Sequence, residues 1–421
     1  MKKQFTVAIA GVGSRGAGTY APYQKKNPDR MKIVAIADID PIRLKLTGDE
    51  YGVPECMRFD SAEAMMKQPK LADVMIIATQ DFQHVSHTMP ALERGYDVLL
   101  EKPISNDKED ILSLLEKAHE TGRKVTVCHV LRYTPFYVKI KELIDSGAVG
   151  EVINIHAAEN VGYWHQAHSF VRGNWADSNV QSPMILQKCC HDMDIILWLM
   201  GQDCVRVSSF GSLSYFNEEN APEGSTKYCM GGCAAKQDCP YDAEKIYVTN
   251  NITGIEKGNT NWPCDVLVPE PTSEKVYEAI KSGPYGRCVF HCDNNVVDHQ
   301  VVNMEFANRA TAAFTLSGFT RKMTREIKVC GTLGEIEGNM GTNTVVLHRF
   351  GQPAEEFDIA ALNKDLEGHG GGDHRMVSEF FDCIERNDAA VRSGIDVSVQ
   401  SHMICFAAEL SRLEDGKPVC L

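Results

Sequence analysis

The chain has 421 residues, 43% hydrophobic and 24% charged, with a formal net charge of −14. That length suits two or three domains with a well-buried core, and the composition is that of a soluble globular protein. The acidic balance argues against nucleic acid and anionic membrane surfaces as partners, and no apolar stretch approaches the ~18 residues of a transmembrane helix.

The opening "MKKQFTVAIAGVGSRGAG" starts like a signal peptide, but its apolar run meets glycines too soon for a signal core. It reads as a first strand, and the expected location is the cytoplasm. The fifteen cysteines are then expected to be something other than disulfides. Most, such as Cys128 and Cys405, sit in apolar contexts as small buried hydrophobes.

Gly11, Gly13 and Gly16 form G-x-G-x-x-G directly after that strand. The spacing serves a tight turn, close approach to a pyrophosphate and close helix packing. Ser14 and Arg15 lie inside the same loop as cofactor contacts. The next strand, "KIVAIADID", ends at Asp38, where an acid can hold ribose hydroxyls and repel a 2′-phosphate, so NAD is favoured over NADP. Further strands follow at "LADVMIIATQ", "DVLLEKP" and "KVTVCHV", with the amphipathic helix "DKEDILSLLEKAHETG" between the last two. Strands alternating with helices predict an α/β fold with a doubly wound parallel sheet. Ligands of such sheets bind outside the carboxyl ends of the strands. That places Thr79, Asp81 and His84, then Glu101 and Lys102, near the cofactor.

The segments "GVGSRG", "ADIDP", "IIATQDFQH", "ALERGYDVLLEKPIS" and "LRYTPFYVKIKELIDSGAVGEV" together resemble the Gfo/Idh/MocA family of oxidoreductases. The resemblance runs from residue 5 to about residue 201. It implies an N-terminal Rossmann domain, placed at 1–130, and a C-terminal α/β domain at 131–421 built on a large open, mostly antiparallel sheet. It also implies NAD(P)-linked chemistry on sugars, polyols and their derivatives, and a homo-oligomer, dimer or tetramer. Position by position, the family's lysine in "EKP" matches Lys102, and its acid/base histidine matches His191. Gln187 stands where relatives often carry an aspartate. Three functions remain open. The first is dehydrogenation of a secondary alcohol of a sugar, glycoside or polyol. The second is glycoside cleavage by transient oxidation on tightly held NAD. The third is a non-enzymatic NAD-binding sensor, against which the intact Lys102 and His191 weigh.

"SPMILQKCCHDMDIILWLMG" (182–201) carries the second half of that pair. Read as one helix, it has Ser182 as N-cap, Pro183 in the first turn and Gly201 as the stop. Lys188 and His191, at i and i+3, then share a face, and Asp194 is a candidate to orient the imidazole. Lys188 is expected to act on substrate or in proton relay, and a histidine titrates in the needed range. Cys189 and Cys190 point about 100° apart on a helix and read as packing residues.

Before that helix, "ENVGYWHQAHSFVRGNW" could line a sugar pocket through its aromatic and polar tips, with His165 and Arg172 as substrate contacts. An insertion at about 217–297 contains Cys229, Cys233 and Cys239. Their spacing resembles a metal site, zinc before iron–sulfur, with Cys264, Cys288, Cys292 or His291 as a fourth ligand. Reduced cysteines in a compact loop, or a local disulfide, remain alternatives. His299 precedes a later strand and could reach substrate, and His369 and Asp373, after a glycine run, could close the pocket.

Overall fold

A computed structural model describes residues 2–363, 366–388 and 391–421. Six short strands form the first sheet: β1 (Phe5–Ala10), β2 (Met31–Ala37), β3 (Arg58–Phe59), β4 (Val74–Ile77), β5 (Asp97–Leu100) and β6 (Val125–Val127). Their order is β3-β2-β1-β4-β5-β6 and every pairing is parallel. The strand order reverses between β1 and β4, which opens a crevice at their carboxyl ends. The interior strands are apolar on both sides because helices cover both faces. Those helices have the stops written into the sequence. Asp40 caps Pro41–Tyr51, which ends at the left-handed Gly52, and Asp107 caps Lys108–Thr121, which ends at the left-handed Gly122.

The second sheet has nine strands: β7 (Val152–Asn160), β8 (Cys204–Ser212), β9 (His299–Phe306), β10 (Thr311–Ser317), β11 (Thr324–Gly331), β12 (Gly334–Asn339), β13 (Thr344–Arg349), β14 (Glu355–Asp358) and β15 (Val419–Cys420). Their order is β14-β13-β12-β11-β7-β10-β9-β8-β15, antiparallel throughout except where β7 meets β10. The α/β architecture and both sheet types agree with the sequence. One face packs on the helices Pro135–Asp145, Cys190–Met200 and Ile395–Leu413, and the other faces solvent, as the alternating burial along β9 records. Between β8 and β9 lie only short helices, the longest Ser273–Ser282, packed into a separate small apolar core. Among the described residues no helix is long and apolar enough to cross a membrane.

Residues 182–201 are not one helix. A short turn at Met184–Gln187 is followed by a break at Lys188 and Cys189, and the main helix runs Cys190–Met200 to the left-handed Gly201. The physical cause is visible at Gln187. Its carbonyl, which an unbroken helix would give to the His191 N–H, accepts instead from Lys102 Nζ at 2.6 Å. Ser182 does not cap; its hydroxyl donates to Asp81 at 3.0 Å and so ties this segment to the first sheet. Cys189 and Cys190 are fully buried in the apolar core.

Candidate active site

The glycine loop leaves β1 with its backbone bare. A Cβ on Gly11 (φ +89) would lie 2.4 Å from the Ala78 carbonyl oxygen, and one on Gly16 would lie 1.9 Å from that of Gly11. Neither position admits a side chain. At Gly13 the nearest heavy atom would be an Arg43 nitrogen at 3.7 Å, so the space above the loop is open to a phosphate group. Asp38, at the end of β2, is aimed at this loop. One oxygen accepts from the Val12 N–H at 2.8 Å and the other from the Asp40 N–H at 2.9 Å. Ser14 is exposed at the rim. These residues fit the pyrophosphate and ribose of a dinucleotide.

Beyond the loop, a cleft of about 150 Å³ is lined by Arg15, Thr79, Asp81, His84, Glu101 and Lys102 from the first sheet's crevice. Its opposite wall is Trp175, Gln187, Lys188, His191, Arg325 and His369. The floor on the cofactor side is a charge cluster. Arg15 Nε donates to Glu101 at 2.5 Å, and Arg15 Nη2 donates to Tyr20 at 2.7 Å and to Asp373 at 2.9 Å. Tyr20 donates to Glu101, and His369 Nδ1 meets Asp373 at 2.9 Å. Burial alone would raise the Glu101 and Asp373 carboxyls, but Arg15 overcomes it and holds both below the carboxylate range. Asp373 therefore bonds Arg15 and His369. The glycine run before it, Gly368–Gly371, is non-helical and brings His369 to the cleft.

His191 is buried, and its Nδ1 has no partner among the described residues. Burial first, then the charge of Lys102, holds its imidazole well below its ordinary range. The rings of His129 and His369 lie 5.8 and 6.2 Å from it. Gln187 takes part through its main chain, so the Lys102 contact does not depend on an aspartate at that position.

Lys188 and His191 reach the same cleft from either side of the helix break, not from one helical face. Lys188 Nζ lies 3.3 Å from Glu159, whose other oxygen meets Arg325 at 2.7 Å; Arg325 Nε donates to Asp192 at 2.8 Å. Glu159 and Arg325 are direct cross-strand neighbours of β7 and β11. Burial raises the Asp192 carboxyl to about 6 against the opposing charge of Arg325, with Glu159 adding to the rise. Arg325, Glu159 and Asp192 carry no sequence signal, since each is an ordinary charged residue until the strands pair.

Four side-chain expectations need correction. Asp194 does not orient His191: both its oxygens accept from Arg132, at 2.6 and 2.7 Å, in the buried interior. Arg172 is not in the cleft; it donates to the carbonyls of Arg287 at 2.6 Å and Tyr241 at 2.7 Å inside the insertion. His299 is half exposed at the start of β9, held by Asp298 at 2.8 Å, and lines no part of the cleft. His165 is also absent from the cleft wall and packs on Trp164, Phe170 and Trp262, although Lys188 is near enough to help burial depress its pKa. Residues 163–172 thus pack on the insertion, where His168 stacks on Tyr285 at 4.8 Å. Cys229, Cys233 and Cys239 do share one cavity with Cys288. Yet among the described residues no three His, Cys, Asp or Glu side chains are close enough to hold a metal ion. Every cysteine of the chain is unpaired.

Residues 5–129 match the model of an oxidoreductase family, its NAD-binding Rossmann fold (GFO_IDH_MocA), and residues 141–421 match that family's C-terminal alpha/beta domain. The putative oxidoreductase YteT of Bacillus subtilis is 24% identical over 395 residues, covering 89% of this chain and 88% of that protein. An inositol 2-dehydrogenase of Corynebacterium glutamicum is 26% identical over 211 residues, 49% of this chain and 57% of that one. In fold, the chain is similar to an oxidoreductase from Agrobacterium radiobacter solved in complex with NAD+, L-tartaric acid and magnesium. The TM-score is 0.71 at 15% identity, over 99% of this chain and 98% of that chain. The chain belongs to the Gfo/Idh/MocA oxidoreductase family.

Proposed function

From that membership we propose that the chain is an NAD-dependent dehydrogenase. Its substrate is a secondary alcohol of a sugar, glycoside or polyol, and Lys102 and His191 handle the hydroxyl proton. One observation carries the reading. Lys102, at the carboxyl end of a Rossmann strand, and His191, neutral and with an unpartnered nitrogen, line a single cleft.

When bound, NAD supplies the hydride acceptor. The Gly11–Gly16 loop would carry its pyrophosphate and Asp38 its ribose hydroxyls, which disfavours NADP. His191, kept neutral by burial and by Lys102, accepts the hydroxyl proton. Lys102 gives one hydrogen to the Gln187 carbonyl and has others left to donate to the oxygen as negative charge develops on it. Lys188 and Arg325 are balanced by Glu159 and Asp192. This wall therefore offers hydrogen bonds with little net charge, which suits a neutral polyhydroxylated substrate. The similarity to an inositol 2-dehydrogenase supports the same class. The solvent-facing side of the nine-stranded sheet is the surface on which a second copy would pack.

The test is a screen of sugars, polyols and glycosides with NAD and NADP, following cofactor reduction and analysing products. Reduction of NAD by a neutral polyhydroxylated compound is expected, with a preference over NADP that Asp38→Ser abolishes. Lys102→Ala and His191→Ala should each lower kcat by roughly 10²–10⁴-fold. Unchanged turnover in both variants would overturn the proton assignment. Aglycone release with no net NADH would replace dehydrogenation by oxidation-assisted cleavage.

A further inference from the structure

Packed against the insertion is a buried charge with no carboxylate partner among the described residues. Three arginines are buried to more than nine-tenths among the described residues: Arg30, Arg132 and Arg172. Arg30 meets Asp382 and Glu385, and Arg132 meets Asp194. Arg172 has no carboxylate partner among the described residues. Its hydrogen bonds go to the Arg287 and Tyr241 carbonyls and, at 3.5 Å, to the Cys229 sulfur, while its Nη1 is buried without a partner. An isolated buried cation is costly, so this site calls for an anion.

The same arginine lines a small cavity of about 10 Å³ together with Cys229, Cys233, Cys239 and Cys288. That volume is near the lower limit for a single water and suits one small ion. The backbone places two of the thiols side by side. Tyr228 and Arg287 form an antiparallel bridge, the Cys229 N–H donates to Gly286 and the Cys288 N–H donates to Lys227, both at 2.9 Å. Cys233 and Cys239 arrive on the loop that follows, which turns through the left-handed Gly232 (φ +85).

We propose that Cys229, Cys233, Cys239 and Cys288 bind one zinc ion, with Arg172 as the buried counter-charge. Four thiolates around Zn²⁺ carry a net charge of −2 by simple addition. A guanidinium donating to a ligand sulfur offsets part of it and fixes the ligand, as supporting groups around metal sites do. Each ligating thiol gives its proton to solvent and no electron moves. In the structure the four cysteines line the cavity, but no three of them are close enough to hold an ion. Neutral thiols have no attraction to draw them inward, whereas a divalent ion between them does, and the glycine turn lets the loop tighten. The ion would staple a segment otherwise made of short helices, and it stands apart from the hydride chemistry of the cleft.

The test is metal analysis of the full-length protein purified without chelator, with X-ray absorption at the zinc edge. About one zinc per chain, with four sulfur neighbours at about 2.3 Å, is expected. Cys233→Ser and Cys239→Ser should each lower retained zinc at least tenfold, while Cys56→Ser, an exposed cysteine outside the insertion, retains it. Arg172→Met should keep the ligands but release zinc to a chelator at least tenfold faster. Should the cysteine variants fail to fold, the wild-type coordination decides by itself. Sub-stoichiometric metal, a shell of nitrogen or oxygen, iron–sulfur absorption, or unchanged zinc in Cys239→Ser would each overturn the proposal.

Discussion

Arg325 in the cleft meets carboxylates at 2.7 and 2.8 Å, whereas Arg172, packed against the insertion, meets two carbonyls and a thiol. Both are desolvated guanidinium groups, but their surroundings solve the charge problem differently. The cleft wall is self-sufficient: two cations and two carboxylates neutralise one another without a ligand. The insertion side supplies the cation and leaves the anion to be provided.

The largest expected effect tests the self-sufficient side. Arg325→Met leaves Glu159 and Asp192 buried with one lysine between them. It should cost roughly 3–5 kcal/mol of stability in denaturant unfolding; a loss below 1 kcal/mol would mean the network is solvated. Arg172→Met strands two carbonyl acceptors but no carboxylate, and a smaller loss of about 1–3 kcal/mol is expected. If the two losses are equal, the contrast between the regions fails. The smallest effect is a pH dependence. The Asp192 carboxyl is raised from 3.8 to about 6 in the folded protein, so the folded state holds its proton more tightly than the unfolded chain. The associated stability is fully present below about pH 4 and is lost as pH rises through about 6. Asp192→Asn should flatten that part of the stability profile, read from unfolding midpoints across the same window. Retention of the full slope would assign it to other groups.

The Rossmann half was legible because its signals are local. Alternating apolar strands, the glycine spacing and the acid after β2 all fall within short windows, and a parallel sheet follows from them with few alternatives. Lys102 and His191 were legible only through resemblance, and their meeting in one cleft could not be read from spacing. Asp194 shows the limit of helical-face arguments: it is three residues from His191, but Arg132 captures it. Arg172 shows another limit, since an arginine beside aromatic residues reads equally well as a sugar contact and as part of a small core.

By itself the sequence determined the fold class and the dinucleotide loop, since each depends on contacts between near neighbours along the chain; the lysine and the histidine came from resemblance. Tertiary structure alone decided which charges pair. The β7–β11 register sets Arg325 opposite Glu159. The reach of Lys102 to the Gln187 carbonyl breaks the helix and separates Lys188 from His191. The bridge between Tyr228 and Arg287 brings Cys288 to Cys229. Such pairings depend on the register and packing of segments far apart in the chain, which local periodicity does not encode.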